Sequence, residues 1–258
     1  MSEILAHREA GILTLTFNRV DKKNAITAAM YAALADAMNE AERDDGIRVV
    51  VLQGHEQVFT AGNDLGDFLK NPPDTSGDKA EPAPVVRYLE ALRTFSKPLV
   101  AAVAGPAVGI GTTMLLHCDL VYAADNAAFS LPFVNLGLCP EAGASLLLPA
   151  LVGYPRAAEK LMLGEPFYAE EAVEMGLINR ILPPNEVNAY AQAQAAKLAA
   201  KPMASLRATK ALMKKGQVGL QQIMGEELKL FGALLRGPAA KEAISAVMEK
   251  RKPDFSRY

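Results

Sequence analysis

Three short segments carry the residues able to do chemistry. In Val58-Phe59-Thr60-Ala61-Gly62-Asn63-Asp64-Leu65 an apolar pair leads through Ala-Gly into a helix start, and the small residues let a ligand approach the main chain. In Gly105-Pro106-Ala107-Val108-Gly109-Ile110-Gly111-Thr112-Thr113 the glycines follow a strand and precede a helical run from Met114 to Asp119. Unpaired N–H groups at such a helix start can hold an oxyanion, although a tight strand-to-helix turn accounts for the glycines equally well. Gly109-Ile110-Gly111 is neither a dinucleotide fingerprint nor a phosphate loop. The third segment, Leu136-Gly137-Leu138-Cys139-Pro140-Glu141-Ala142-Gly143, holds one acid among apolar neighbours. Two readings of it stand together: burial beside Phe133, Leu136 and Leu138 raises Glu141 toward the range of a general acid and base, or Pro140 opens a helix whose dipole Glu141 complements.

Other reactive residues form no set. His117-Cys118-Asp119 sits in one helical run, where neighbouring positions do not face each other, and Cys118 reads as a buried thiol. His7, His55 and His117 are scattered without a ligand pair, and Cys118 and Cys139 lie far apart without a Cys/His ligand pattern, so no metal and no disulfide is expected. Both thiols read as buried in a reducing compartment. Lys plus Arg is 27 and Asp plus Glu is 29, a net charge of −2 that builds no surface for nucleic acid.

The elements that must position these segments follow from the pattern. The 258 residues are 50% hydrophobic, enough for one large core. Leu13, Leu15 and Phe17 alternate with threonines as on a half-buried strand, and Arg48–Gly54, Leu99–Gly105 and Asp119–Ala123 are apolar strand-like runs. Thr27 reads as the N-cap of a helix with Met30, Leu34, Ala37, Met38 and Ala41 on one face, ending at Asp44-Asp45-Gly46. Strands alternating with helices make the class α/β. Lys70–Pro84 has little to bury and carries four of the 16 prolines, which makes it a mobile loop able to act as a lid or to lie idle on the surface. Beyond about Asn185 the pattern is helical, in Ala189–Ala200, Met203–Lys215, Gly219–Leu235 and Pro238–Lys250. The expected division is residues 1–190 as the core and residues 191–258 as a helical appendage covering a neighbour or a ligand.

Taken in order and register, Asn18-Arg19, Lys23-Asn24-Ala25, Phe59–Leu65, Gly105–Gly111, Cys118–Ala123 and Glu249-Lys250-Arg251-Lys252-Pro253-Asp254-Phe255 resemble the crotonase (enoyl-CoA hydratase/isomerase) superfamily over nearly the whole chain. The variants Asn63-Asp64-Leu65 and Pro140-Glu141 are most similar to its peroxisomal-type 3-enoyl-CoA to 2-enoyl-CoA isomerase branch. The resemblance implies a spiral of strand-strand-helix turns with a helical C-terminal trimerisation region, and an acyl-CoA substrate. It maps the two main-chain oxyanion donors onto Asn63 and Ile110, the latter a departure because glycine is frequent there. The two glutamates of family hydratases map onto Thr113 and Phe133, neither of which transfers protons as a carboxyl does. A catalytic base maps onto Glu141.

The resemblance also assigns Lys23, Ala61, Asp64, Leu65, Phe231 and Lys250 to coenzyme A, with Phe133 beside the acyl group. From the residues alone Phe231 reads as core and Lys250 as a solvated helix end. The implied activity is double-bond isomerisation of an acyl-CoA. A hydratase, another acyl-CoA lyase or hydrolase, or a non-catalytic CoA binder are the alternatives. No permanently bound cofactor is expected, coenzyme A arriving with the substrate, and the expected assembly is a homotrimer or a dimer of trimers. Gly105-Pro106 and Gly109-Ile110-Gly111 interrupt the uncharged run Leu99–Leu116, which therefore does not read as a membrane span. Neither a signal peptide nor a peroxisomal ending is recognised, so the expected location is cytoplasmic.

Overall fold

The computed structural model of the chain describes residues 2–70 and 82–258. Its larger sheet runs β1 (Ile4–Glu9), β2 (Ile12–Phe17), β3 (Val49–Gln53), β4 (Leu99–Val103), β6 (Leu120–Ala124) and β9 (Arg180–Leu182). The smaller sheet runs β5 (Pro106–Val108), β7 (Ala128–Ser130) and β8 (Phe167–Tyr168). β1 and β2 form an antiparallel hairpin, and every other pairing of the larger sheet is parallel. The helices are α1 (Ala28–Arg43), α2 (Leu65–Lys70), α3 (Pro84–Thr94), α4 (Ile110–Thr113), α5 (Ala144–Val152), α6 (Tyr154–Leu163), α7 (Ala169–Glu174), α8 (Val187–Ala199), α9 (Met203–Met213), α10 (Leu220–Leu235) and α11 (Pro238–Met248).

The spiral arises because strands come in consecutive pairs. β4 enters the larger sheet and β5 the smaller, and β6 and β7 repeat the move in parallel register. Parallel strands covered on both faces need unbroken apolar runs, and Val49, Val50, Val51 and Leu52 are all buried. One face packs on Leu34 and Met38 of α1 and on Leu89 and Leu92 of α3. The opposite face packs on Val187, Ala191 and Ala195 of α8, whose small side chains bring the helix close to Val51 and Val100. α8 thus belongs to the sheet layer although it straddles residue 190. Thr27 caps α1, its Oγ1 accepting from Met30 N–H at 3.3 Å, a device worth about 1 kcal/mol.

Two local expectations are corrected. The run after Gly109 is not one helix: α4 ends at Thr113, Met114–His117 is a 3-10 turn, and Cys118 is extended. Pro140 and Glu141 lie outside any helix, since α5 begins at Ala144 behind Gly143, so Pro140 does not open a helix and Glu141 is not in a first helical turn. Of the loop expected over residues 70–84, residues 71–81 lie outside the described residues, and Pro84 opens α3. Among the described residues no helix is long and apolar enough to cross a membrane.

Candidate active site

The first two segments meet through a short parallel bridge between Thr60 and Ala107. Thr60 N–H donates to Pro106 O at 2.9 Å and Val108 N–H donates to Thr60 O at 3.0 Å. Residues 61–63 therefore run beside residues 108–110. A Cβ at Gly62 would stand 2.8 Å from Val108 O, and Gly62 has φ +85, so only glycine permits this approach. Gly109, at φ +55, turns the chain into α4, with its N–H bound to Ser130 O and its carbonyl accepting from Thr112 and Thr113 N–H. Asn63 and Ile110 come out on the same cleft of about 180 Å³, which Ala61, Leu65, Phe68, Phe133, Leu136 and Leu138 also line. The N–H groups of Asn63 and Ile110 make no hydrogen bond to any described residue. Two main-chain donors on an apolar cleft can stabilise a developing oxyanion.

Glu141 is not among the residues lining that cleft, and its link to the second segment runs through Thr113. Glu141 is 5% exposed, and Thr113, in the turn that follows Ile110, donates its hydroxyl to Glu141 Oε1 at 2.5 Å. Burial pushes the Glu141 carboxyl up to about 8; the Thr113 hydroxyl pulls against that, and the nearby Glu227 carboxylate adds to it. A bent turn presents the side chain: Ala142 has φ 59, rare for a residue other than glycine, and Gly143 has φ 73. Two side chains hold that turn. His117 Nε2 lies 2.7 Å from Ala142 O, and burial drops the imidazole pKa to about 4, leaving it a neutral donor. Glu227 of α10 accepts from Gly143 N–H at 2.6 Å and from Ser145 N–H and Oγ at 2.9 and 2.6 Å.

The remaining residues named from the sequence fall in different places. Ala61, Leu65 and Phe133 line the cleft. Lys23 is exposed, at φ 52, and its carbonyl accepts from Ala61 N–H at 2.9 Å. Asp64 pairs with Arg19 at 2.7 Å and accepts from Asp67 N–H at the start of α2, while its own N–H is taken by Ile26 O. Phe231 is buried against Phe68, ring centroids 6.2 Å apart, and Lys250 is exposed beyond α11. Leu235 and Ile244 reach the cleft wall, so the C-terminal helices close the cleft of their own chain. Cys118 and Cys139 are free and half-buried rather than buried, and burial pushes their thiols up to about 12 and about 11. No cluster of three or more potential metal ligands occurs among the described residues.

Residues 7–257 match the enoyl-CoA hydratase/isomerase family. The chain belongs to that family. Relatives of this chain include the 2,3-dehydroadipyl-CoA hydratase of Escherichia coli, 35% identical over 256 residues and covering 99% of each chain. Enoyl-CoA delta isomerase 2 of Rattus norvegicus is 36% identical over 254 residues, which cover 97% of this chain and 64% of that protein. Among solved structures, Pseudomonas aeruginosa OdaA superposes with a TM-score of 0.91 at 45% identity, covering 96% of this chain and 99% of its own. The fold is the crotonase fold, and the family's reactions include both hydration and isomerisation.

Three residues of this site, Thr113, Glu227 and Tyr31, carry no local motif for their role. In the sequence Thr113 reads only as a position that lacks the hydratase carboxyl. Glu227 shares the face of α10 that buries Met224 and Phe231, and an acid on an apolar stripe is a readable signal. Tyr31 lies on the buried face of α1, where its hydroxyl must find a partner.

Proposed function

We propose that this protein is an acyl-CoA double-bond isomerase that converts a 3-enoyl-CoA to a 2-enoyl-CoA. The observation that carries the reading is Glu141, a buried carboxyl with one side-chain partner, while Thr113 and Phe133 stand where the resemblance places the hydratase acids. Glu141 removes a C2 proton, and the electron pair moves into the thioester. The N–H groups of Asn63 and Ile110 hold the enolate oxygen, each worth roughly 10²–10³ in rate on the scale of a lost oxyanion donor. The same carboxyl returns the proton to C4 as the double bond settles between C2 and C3. Coenzyme A lies along exposed Lys23 and Lys250 and the cleft-lining Ala61 and Leu65, while Asp64, its main chain bonded to Ile26 and Phe68, and buried Phe231 support that surface from within; no other cofactor is proposed.

The working unit we propose is a homotrimer or a dimer of trimers. Its support is apolar surface in the C-terminal helical region that the chain leaves uncovered, with Met213 at the end of α9 67% and Val218 in the turn before α10 82% exposed. Light scattering at micromolar concentration is expected to give at least three times the monomer mass, and a monomer refutes this assembly.

Hydration is the second reading, favoured by the name of the Escherichia coli relative. Product analysis on 3-hexenoyl-CoA and crotonyl-CoA separates the two. The isomerase reading expects the first to be converted without gaining water and the second to stay unhydrated; dominant hydration of crotonyl-CoA overturns it.

A further inference from the structure

Asn63 is held at two points. On its main chain, Ile26 N–H donates to Gly62 O at 2.8 Å and Asp64 N–H donates to Ile26 O at 2.9 Å. In a parallel bridge this pattern leaves the residue between them with its own N–H directed away from the partner strand, which here is toward the cleft. On its side chain, Oδ1 accepts from the Tyr31 hydroxyl at 2.5 Å. Tyr31 is 2% exposed and rides on α1, a helix of 16 residues packed on the sheet. Its ring lies against that of Tyr88, centroids 5.7 Å apart, which restrains the hydroxyl. The cleft-facing residue is thus tied to α1 by one short side-chain bond, in addition to the bridge at its main chain.

We propose that Tyr31 is the positioning residue of the oxyanion hole, its hydroxyl fixing the Asn63 side chain and thereby the aim of the Asn63 N–H at the thioester oxygen. This rests on the reading of Asn63 and Ile110 as the oxyanion donors. Tyr31 touches no substrate atom. It acts by removing the side-chain freedom of a residue whose main chain is held by only a one-residue bridge, and misplacement of a catalytic donor by about 1 Å costs up to about 10²-fold in rate.

The test reads the carbonyl itself. Infrared difference spectra of 2,4-hexadienoyl-CoA labelled with ¹³C at the thioester carbon are recorded bound to wild type, Tyr31→Phe, Asn63→Ala and the double variant. The wild type is expected to lower the carbonyl stretch relative to free ligand, and Tyr31→Phe to lose roughly half of that displacement. With 3-hexenoyl-CoA, kcat falls about tenfold in Tyr31→Phe while KM stays within about twofold, and the double variant is no worse than Asn63→Ala because both remove the same bond. Asn63→Ala breaks that bond from the cleft side and reports on it even where Tyr31→Phe folds poorly. A wild-type displacement and kcat in folded Tyr31→Phe, or in Asn63→Ala, overturns the proposal, as does additivity in the double variant. A wild type that leaves the carbonyl undisplaced shows instead that the oxyanion-hole reading has failed, and the proposal falls with it.

Discussion

Glu141 in the turn before α5 and Glu227 on α10 are buried to the same 5% exposure, yet their surroundings differ. Glu227 accepts three hydrogen bonds from Gly143 and Ser145. Glu141 accepts one, from Thr113. Burial raises both carboxyls above their ordinary range, but the donors around Glu227 pull it back, whereas Glu141 is left at about 8 with the Glu227 charge adding to the rise. A buried acid whose acceptor sites are filled fixes a loop. One held by a single hydroxyl, with burial raising its pKa toward neutrality, is suited to exchange a proton.

The contrast breaks first at Glu227. Glu227→Gln replaces two charge-assisted bonds to main-chain N–H groups and is expected to destabilise the fold by about 3 kcal/mol in urea unfolding, with less than about tenfold loss of kcat in the folded fraction. A larger loss of kcat than of stability would make Glu227 a partner in the chemistry.

The pH dependence of stability sharpens the contrast. Glu141 binds its proton more tightly folded than unfolded, so its contribution is complete below about 4.5 and is lost as pH rises through about 8. Between pH 5 and 8, wild-type stability should therefore fall by at least about 1.4 kcal/mol more than that of Glu141→Gln, the worth of one pKa unit. Parallel profiles would mean that Glu141 titrates normally.

Thr113→Val removes the bond that favours the charged carboxyl. The acidic limb of kcat/KM should move up by about one unit, a loss of about tenfold at pH 7. The smallest effect is expected for Ile110→Val, which keeps the main-chain donor: kcat within about twofold of wild type, with about 1 kcal/mol of stability lost to the missing methylene.

The sequence pattern was sufficient for the elements whose periodicity is local. The Thr27 cap, α1 and the four C-terminal helices appear within a few residues of where spacing and caps place them. Segments set by tertiary contact were less legible. Pro140 reads as a helix start, yet the chain turns through Ala142 and Gly143 because His117 and Glu227, distant in sequence, hold their main-chain groups. The two glycine segments pointed to main-chain donors, but that they face one cleft depends on the bridge between Thr60 and Ala107, which no local pattern encodes. Tyr31 was hidden for the same reason: a stripe with Met30, Leu34 and Met38 reads as core, and only the fold shows where its hydroxyl ends.

The central claim is that Glu141 alone carries the proton. It is tested most directly by turnover of 3-hexenoyl-CoA by Glu141→Gln beside wild type, with thermal melting of both. Glu141→Gln is expected to lose about 10³-fold or more in kcat with no loss of melting temperature at pH 7, on the scale of a removed general base that also lacks a substitute. Isomerisation at the wild-type rate in the folded variant would contradict it.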